Sequence, residues 1–482
     1  MTVLLAHIRR HAAAWVFAAV AGAAVSLFCT VVPAGWGLDE QSHVARAYQV
    51  SRAIPLPYVR EDGKTLGASV PEKIMAVEAA GFSASNGVDR SAPSWQRADF
   101  SNRAQVHELN AAVVEPGDPT VDYDVSNASA SSFVPYLPAA VGMRIGSVLG
   151  ADVGATMLLA KLINGLVFVM LGTAAVAVLA PFRARWLFFA IGLLPETVFQ
   201  SAYVTADSYT DGIALLFAAA VTRLALDRRP ASVTLLVGTV AAALGMAAAK
   251  PTYVVLVLAL LAIPGARLLP ARLAERVARP ALVGKAVAAG MIVVVGAVAL
   301  VVLKLVGNST VAIAATYDRG ADSGAQVEYL LHHPLHVPVV LWRTIEVFGL
   351  SWTESLTGNF GYNTVHQVEP FVTMCIVTVV LAAFHAERLR RVVGLTFLLG
   401  SLVAGFAVIG ALYLTFNAPG DPMAVGVQGR YFIPLLAPFV LGLAALLPIR
   451  LALRERHAAI VFPALSTVAL LASGVLWLSF LY

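Results

Sequence analysis

The 482-residue chain is 59% hydrophobic and 13% charged, and its mean hydropathy of +0.78 excludes both an ordinary soluble globular protein and a disordered one. Its formal charge of +5 is carried by short basic clusters between apolar runs, with no aromatic interleaving, so the clusters read as membrane-topology signals and not as a nucleic-acid surface. Cys29 and Cys375, the only two cysteines, are far apart and lie in or beside apolar runs, which gives neither a disulfide framework nor a metal knuckle.

The elements follow in chain order as apolar runs long enough to cross a hydrocarbon core of about 30 Å. Spans are predicted over residues 12–32, 156–180, 186–202, 209–226, 232–249, 251–263, 284–306, 370–385, 392–416, 431–449 and 458–480, with 133–150 and 336–350 ambiguous. The first run is long for a signal-peptide core and has no clear small-x-small cleavage site, so it is expected to remain as a helix. With Arg9 and Arg10 in the cytoplasm, and 133–150 lying outside the count, "FRARW", "DRR", "RLLPARLAERVAR", "ERLRR" and "RLALRER" all fall on the cytoplasmic side, as the positive-inside rule requires. The same parity needs two short passes across 232–263, broken at "KPTY", where proline removes a backbone donor and disfavours helix just before it.

The expectation is therefore an all-α integral membrane protein, a single polytopic domain over 1–482. It has about eleven transmembrane helices, its N-terminus in the cytoplasm and its C-terminus outside. Residues 33–132 become a large first extracytoplasmic loop, punctuated by "SASNGVDRSAPSW" and "VEPGDPTVDYDV". Short helices and turns packed on the membrane face are expected there, without an independent domain. The alanine, valine and arginine bias points to a high-GC bacterium, and the expected location is the bacterial cytoplasmic membrane.

That topology gathers the unusual polar residues at one face. They are Asp39, Glu40, His43 and Arg46 after the first span; Glu196, Asp207 and Asp211 in "PETVFQSAYVTADSYTDG"; Lys250 and Tyr253 at the helix break; Trp352, Asn359 and Tyr362 in "SWTESLTGNFGYN"; and Gln428 and Arg430 in "VQGRYFIP". Carboxylates, cations and aromatics at the mouth of a bundle suit a phosphate-linked, partly lipidic substrate. If "DEQSHVARAY" is helical, Asp39 and His43 share a face at i and i+4. That spacing suits a carboxylate oriented by a histidine for general-base work, and it equally suits an acidic first turn beside a solvated histidine. Lys250 either snorkels or binds phosphate from a broken helix, and the guanidinium of Arg430 either forks onto phosphate oxygens or sits on the surface at a helix start. Helix capping explains Asp207 and Asp211 as well as a substrate or metal role does. His332, His333 and His336 have no matching acidic or cysteine cluster nearby, which makes a zinc site improbable.

"LDEQSHVARAYQVSR" resembles the acidic signature of a large bacterial family of multi-spanning membrane proteins, the domain-of-unknown-function family 2142. "SFVPYLPAAVG", "KLINGL", "TADSYTDGIALL", "AAAKPTYVVL", "GLSWTESLTGNFGY" and "QGRYFIP" are similar to its downstream landmarks, in the same order. The chain departs in Gln41 and Ser42, where proline and alanine are frequent, and in Tyr362 after Gly361, where tryptophan is usual. That family resembles a branch of the C-type glycosyltransferase superfamily. The resemblance implies an inverting transferase using a polyprenyl-phosphate sugar as donor, with its catalytic acidic residue in the first outer loop; a cell-envelope glycan or lipid is the expected acceptor. It matches the catalytic acid to Asp39, with Glu40 beside it and His43 on the same helix. Lys250, Arg430 and Tyr253 are expected at the donor phosphate, and Arg46, Asp207, Gln428, Trp352, Asn359 and Tyr362 at the substrate. No cofactor is implied with certainty; some superfamily members use a divalent cation, which Glu40 or Asp207 could help to hold. The competing reading is a transporter or flippase of lipid-linked sugar or polysaccharide, favoured by the interrupted helix at Lys250 and Pro251. A third is a non-catalytic partner in a cell-envelope assembly.

Overall fold

The computed structural model describes residues 10–88, 102–317, 319–362, 364–451 and 453–481. Arg9 and part of the turn-rich stretch 83–95 lie outside the described residues. The first helix, α1 (Ala12–Val31), is followed by α2 (Glu40–Ser51), β1 (Tyr58–Val59), β2 (Leu66–Pro71), α3 (Glu72–Asn86), α4 (Arg103–Asn110) and β3 (Thr120–Asp124). Next come α5 (Leu137–Val148), α6 (Val153–Val178), α7 (Arg185–Gly192), α8 (Pro195–Ser201), α9 (Ala206–Leu226) and α10 (Val233–Ala249). A long 3-10 helix (Pro251–Ala262) leads to α11 (Ala271–Arg276), α12 (Pro280–Leu305), α13 (Ser309–Tyr317), α14 (Ser323–His332) and α15 (His336–Thr357). The hairpin of β4 (Asn359–Phe360) and β5 (Val365–His366) precedes α16 (Glu369–His385), α17 (Arg391–Phe416), α18 (Ile433–Leu446) and α19 (Glu455–Leu481).

Among the described residues, seven helical segments are long and apolar enough to cross a membrane: α1, α6, α9, α12, α17, α19 and the stretch Gly429–Leu446 that contains α18. Three shorter apolar ones join them, α10, the 3-10 helix and α16. Lipid offers no partners to bare backbone groups, so each apolar run closes its own hydrogen bonds as a helix. The short 251–263 run is drawn out: its 12 residues form a 3-10 helix, which at about 2.0 Å per residue extends to about 24 Å, against about 18 Å in α geometry. The 186–202 run is divided into α7 and α8, with Pro195 at the start of the second, a position where its missing N–H costs nothing. Of the ambiguous segments, 133–150 gives α5, whose 12 residues reach only about 18 Å. The other gives α15, with 22 residues, whose composition leaves it outside the apolar set.

The chain turns at two opposite ends of the bundle. At one, the Glu387 carboxylate accepts from the backbone N–H of Arg183 and Ala184 at 2.7 and 3.1 Å, and Glu455 pairs with Arg185 and accepts from Trp186 Nε1 at 2.8 Å. The basic clusters of residues 183–185, 388–391 and 450–456 therefore share this end. Aromatic packing fills the interior between helices, as where Phe199 stacks on Trp477 with centroids 5.4 Å apart and Trp477 meets Trp36 edge-on at 6.1 Å.

At the other end the segment between α1 and α6 forms a cap. It contains more than the expected short helices and turns, because β1, β2 and β3 build a small antiparallel sheet in the order β1-β2-β3, with Ala68 opposite Tyr123 and Val70 opposite Val121. Its apolar core joins Val44, Val70, Ile74 and Val77 to Met157 and Ala160 of α6 and Ala206 of α9. The cap is continuous with the helical bundle.

Candidate functional site

The chain leaves α1 through a turn that ends on Asp39, the residue before α2, held in the left-handed region at φ +56°. Glu40 fastens this turn from inside: Oε2 accepts from the N–H of Gly35 at 3.0 Å and of Gly37 at 2.9 Å, while Oε1 lies 3.6 Å from Lys161 Nζ of α6. Lys161 also donates to the Val32 carbonyl at 3.2 Å. Gly37 is required here because a Cβ would come within 2.3 Å of the Tyr203 ring. Glu78 of α3 is buried beside the pair, and burial, with the Glu40 charge adding to it, raises its pKa well above the usual carboxylate range.

Asp39 is the first member of a chain of ion pairs drawn from four separate segments. Its Oδ2 is 3.1 Å from Arg430 Nη2; Arg430 Nη1 is 3.6 Å from Asp207 Oδ2; and Asp207 Oδ1 is 3.5 Å from Lys250 Nζ. Arg430 Nη1 also donates to Tyr203 Oη at 3.3 Å, and Tyr431 lies under both cations, its ring centroid 4.6 Å from Lys250 Nζ and 5.2 Å from Arg430 Cζ. The helix break places Lys250 as the residue between α10 and the 3-10 helix, and Tyr253 ties that break to the arginine segment by donating to the Tyr431 carbonyl at 2.8 Å. Thr205 is the cap of α9, accepting from the Asp207 N–H at 3.3 Å. The Asp207 carboxylate is thereby left for the two cations.

The other oxygen of Asp39 has neutral partners. Asn127 Nδ2 and Tyr362 Oη each lie 3.4 Å from Oδ1, and the Asp39 N–H donates to Tyr362 Oη at 2.7 Å. The sequence reading had a histidine orient the carboxylate. In the fold that work falls to Arg430, Asn127 and Tyr362, because His43 Nδ1 lies 2.7 Å from Tyr136 Oη, whose proton goes to the Ala128 carbonyl at 2.9 Å. Nδ1 therefore carries the imidazole proton. Burial lowers the His43 pKa to about 4, so the ring is neutral near pH 7.

Five expected site residues stand apart from the ion-pair chain or brace it. Glu40 spends its carboxylate on two backbone amides and Lys161. Arg46 donates to Gln49 Oε1 at 2.7 Å and to the Pro55 carbonyl, closing the end of α2. Trp352 donates to the Val427 carbonyl at 2.9 Å and packs on Phe432 with centroids 5.0 Å apart; at Gly429 a Cβ would lie 2.2 Å from the Trp352 carbonyl. Trp352 thus supports the segment that carries Arg430. Asn359 is buried and Gln428 half-buried, and the side-chain oxygen of each has no hydrogen-bond partner among the described residues.

Sequence reasoning missed Tyr203, Tyr431, Asn127, Tyr317 and Lys161. A lysine inside the apolar run of α6 was a usable signal, since a charge at that depth is costly unless paired; nothing local distinguishes Asn127. Among the described residues no group of three or more His, Cys, Asp or Glu side chains is disposed to hold a metal ion. The donor set at Asp39 and Asp207 does not fit a divalent cation either, because Arg430 and Lys250 already neutralise those carboxylates.

A family model described as "Predicted membrane protein (DUF2142)" matches residues 15–439, a stretch that includes all four members of the ion-pair chain. No curated protein and no solved structure matches the chain. The chain belongs to the DUF2142 family of predicted membrane proteins.

Proposed function

We propose that the protein is a membrane glycosyltransferase of the C type, which moves a sugar from a polyprenyl-phosphate donor to a cell-envelope acceptor with inversion. The observation that carries this reading is the pairing of Asp39 with Arg430 at 3.1 Å, in line with Asp207 and Lys250. A base and two phosphate-binding cations then meet at one end of an apolar bundle. About eleven crossings, with the N-terminus in the cytoplasm, put that end outside and the basic turns inside.

In this mechanism the donor phosphate takes the place of Asp207 between Arg430 Nη1 and Lys250 Nζ, whose contacts with Asp207 at 3.6 and 3.5 Å are loose. Arg430 Nη2 keeps its hold on Asp39 Oδ2, and Oδ1 receives the acceptor's proton. The acceptor oxygen bonds to the anomeric carbon as the bond from that carbon to the phosphate oxygen breaks, and the electron pair leaves with the phosphate. Polyprenyl phosphate departs already charged, so positioning and charge neutralisation supply most of the rate. Glu40 is assigned to holding the turn and takes no part in proton transfer.

The test is sugar transfer by purified protein in liposomes, using radiolabelled polyprenyl-phosphate sugars and an envelope extract, with Asp39→Asn as the comparison. Transfer by wild type that collapses in a folded Asp39→Asn variant is the expected result. Labelled lipid that crosses the bilayer with no donor consumed replaces the transferase by the transporter, the reading favoured by the helix break at Lys250.

A further inference from the structure

Asp39 presents two chemically different edges. Oδ2 points to Arg430, whose side chain is 3% exposed, whereas Oδ1 meets the uncharged donors Asn127 and Tyr362; the Asp39 side chain as a whole is 23% exposed. Three parts of the chain converge on this second edge: the turn after β3 supplies Asn127, the end of α13 supplies Tyr317, and the β4-β5 hairpin supplies Tyr362. Asn127 Nδ2 links them, donating to Tyr317 Oη at 2.7 Å as well as reaching Asp39. The Tyr317 ring is 37% exposed and is braced from behind by Phe416, centroids 5.1 Å apart; the Tyr362 ring is braced edge-on by Phe82 at 5.4 Å.

We infer that Asn127, Tyr317 and Tyr362 form a subsite for an uncharged carbohydrate, and so that the acceptor is a neutral glycan and not an anionic lipid headgroup. Braced aromatic rings offer faces to the C–H surfaces of a sugar ring, while an amide and a carboxylate side by side match a pair of ring hydroxyls. Among the described residues the charged side chains at this edge are Asp39, Asp124, which accepts from Thr316 Oγ1 at 2.8 Å, and Arg60, whose Nη1 is 3.9 Å from Asp124 but whose Nε is committed to Asp122 at 2.9 Å. The cations that would welcome a phosphate, Arg430 and Lys250, lie on the opposite edge. A negatively charged acceptor would meet like charge here, and a neutral polyol would not.

The inference rests on the transferase reading for the name acceptor, but its binding claim is tested without donor. Purified protein in nanodiscs is titrated with maltotriose, mannotriose and galactotriose, and with trigalacturonate as the anionic counterpart, using saturation-transfer NMR. Wild type is compared with Tyr317→Leu and Asn127→Ala, each first shown to melt within a few degrees of wild type. At least one neutral trisaccharide is expected to bind, weakened 10-fold or more in both variants, and the uronate to bind less well. Absence of neutral-sugar binding at millimolar concentration, equal binding by the variants, or preference for the uronate overturns the subsite. Failure to consume any donor in the liposome assay removes the transferase reading alone and leaves the NMR result to judge the subsite.

Discussion

Arg430 stands between two carboxylates, 3.1 Å from Asp39 and 3.6 Å from Asp207, with its own side chain 3% exposed. Removing the guanidinium leaves Asp39 without its counterion and Asp207 with Lys250 alone, in side chains that are 23% and 12% exposed. Arg430→Met is expected to destabilise the protein by roughly 3–5 kcal/mol, the usual cost of breaking a buried pair from one side. Arg430→Lys keeps the charge but cannot reach both carboxylates as a planar fork, so it should fold better than Arg430→Met yet transfer sugar at least 10-fold more slowly. Melting in detergent and initial rates of transfer check the two halves.

Asp207 holds Lys250 at 3.5 Å as well as Arg430. Asp207→Asn should leave a surplus of positive charge and tighten binding of a phosphate anion, while a Lys250→Met, Asp207→Asn double variant should recover part of the stability lost by Lys250→Met alone. A coupling of about 0.5–3 kcal/mol is the range for groups in one network. Additive melting effects across the cycle count against an interaction.

The Glu40 and Lys161 pair positions Asp39 through the turn that Glu40 binds. Lys161→Met strands a buried carboxylate beside Glu78 and is expected to cost about 3–5 kcal/mol. Glu40→Gln can keep its amide oxygen on the two backbone N–H groups, but it turns an NH2 donor toward Lys161 and removes that lysine's counterion. Because Asp39 keeps its carboxylate, the predicted loss of activity in folded Glu40→Gln is in kcat, with a pH profile of unchanged shape. A profile that loses its acidic limb would instead assign proton transfer to Glu40.

Burial lowers the His43 pKa to about 4, from the 6.5 of a free imidazole side chain. Between those values the unfolded chain binds a proton that the folded chain refuses, so this contribution to stability is present above pH 6.5 and is lost as pH falls toward 4. The loss reaches about 3 kcal/mol. His43→Gln should flatten the stability curve within that window, as read by urea or thermal unfolding from pH 7 to 4; an unaltered slope would falsify the assignment.

Gly37 faces the Tyr203 ring so closely that a Cβ would lie 2.3 Å from it. Gly37→Ala must move either the turn or the ring that accepts from Arg430. A cost of about 1–3 kcal/mol, typical of overpacking, should accompany lowered transfer, and Gly37→Ala with Tyr203→Leu should restore stability without restoring rate.

Apolar length determined most of the architecture without any tertiary information. Runs such as 156–180 and 392–416 must become helices wherever they lie in lipid, since no other form satisfies their backbone, and they appear as α6 and α17. The break at Lys250 was equally local, because Pro251 removes a backbone donor and disfavours helix at the residue before it; its conversion to a 3-10 helix was not, since the repeat of side chains there does not distinguish the two geometries.

Which polar groups meet was decided by the tertiary structure alone. The i and i+4 spacing of Asp39 and His43 holds as helix geometry, but it did not show that helix α5 and the turn before it bring Tyr136 to Nδ1 of the imidazole. Asp39 and Arg430 are separated by 391 positions, and Asn127 carries no local mark of its place beside the carboxylate. Sequence records the cost of each charge in a membrane; only the packing of helices onto one another says which opposite charge removes that cost.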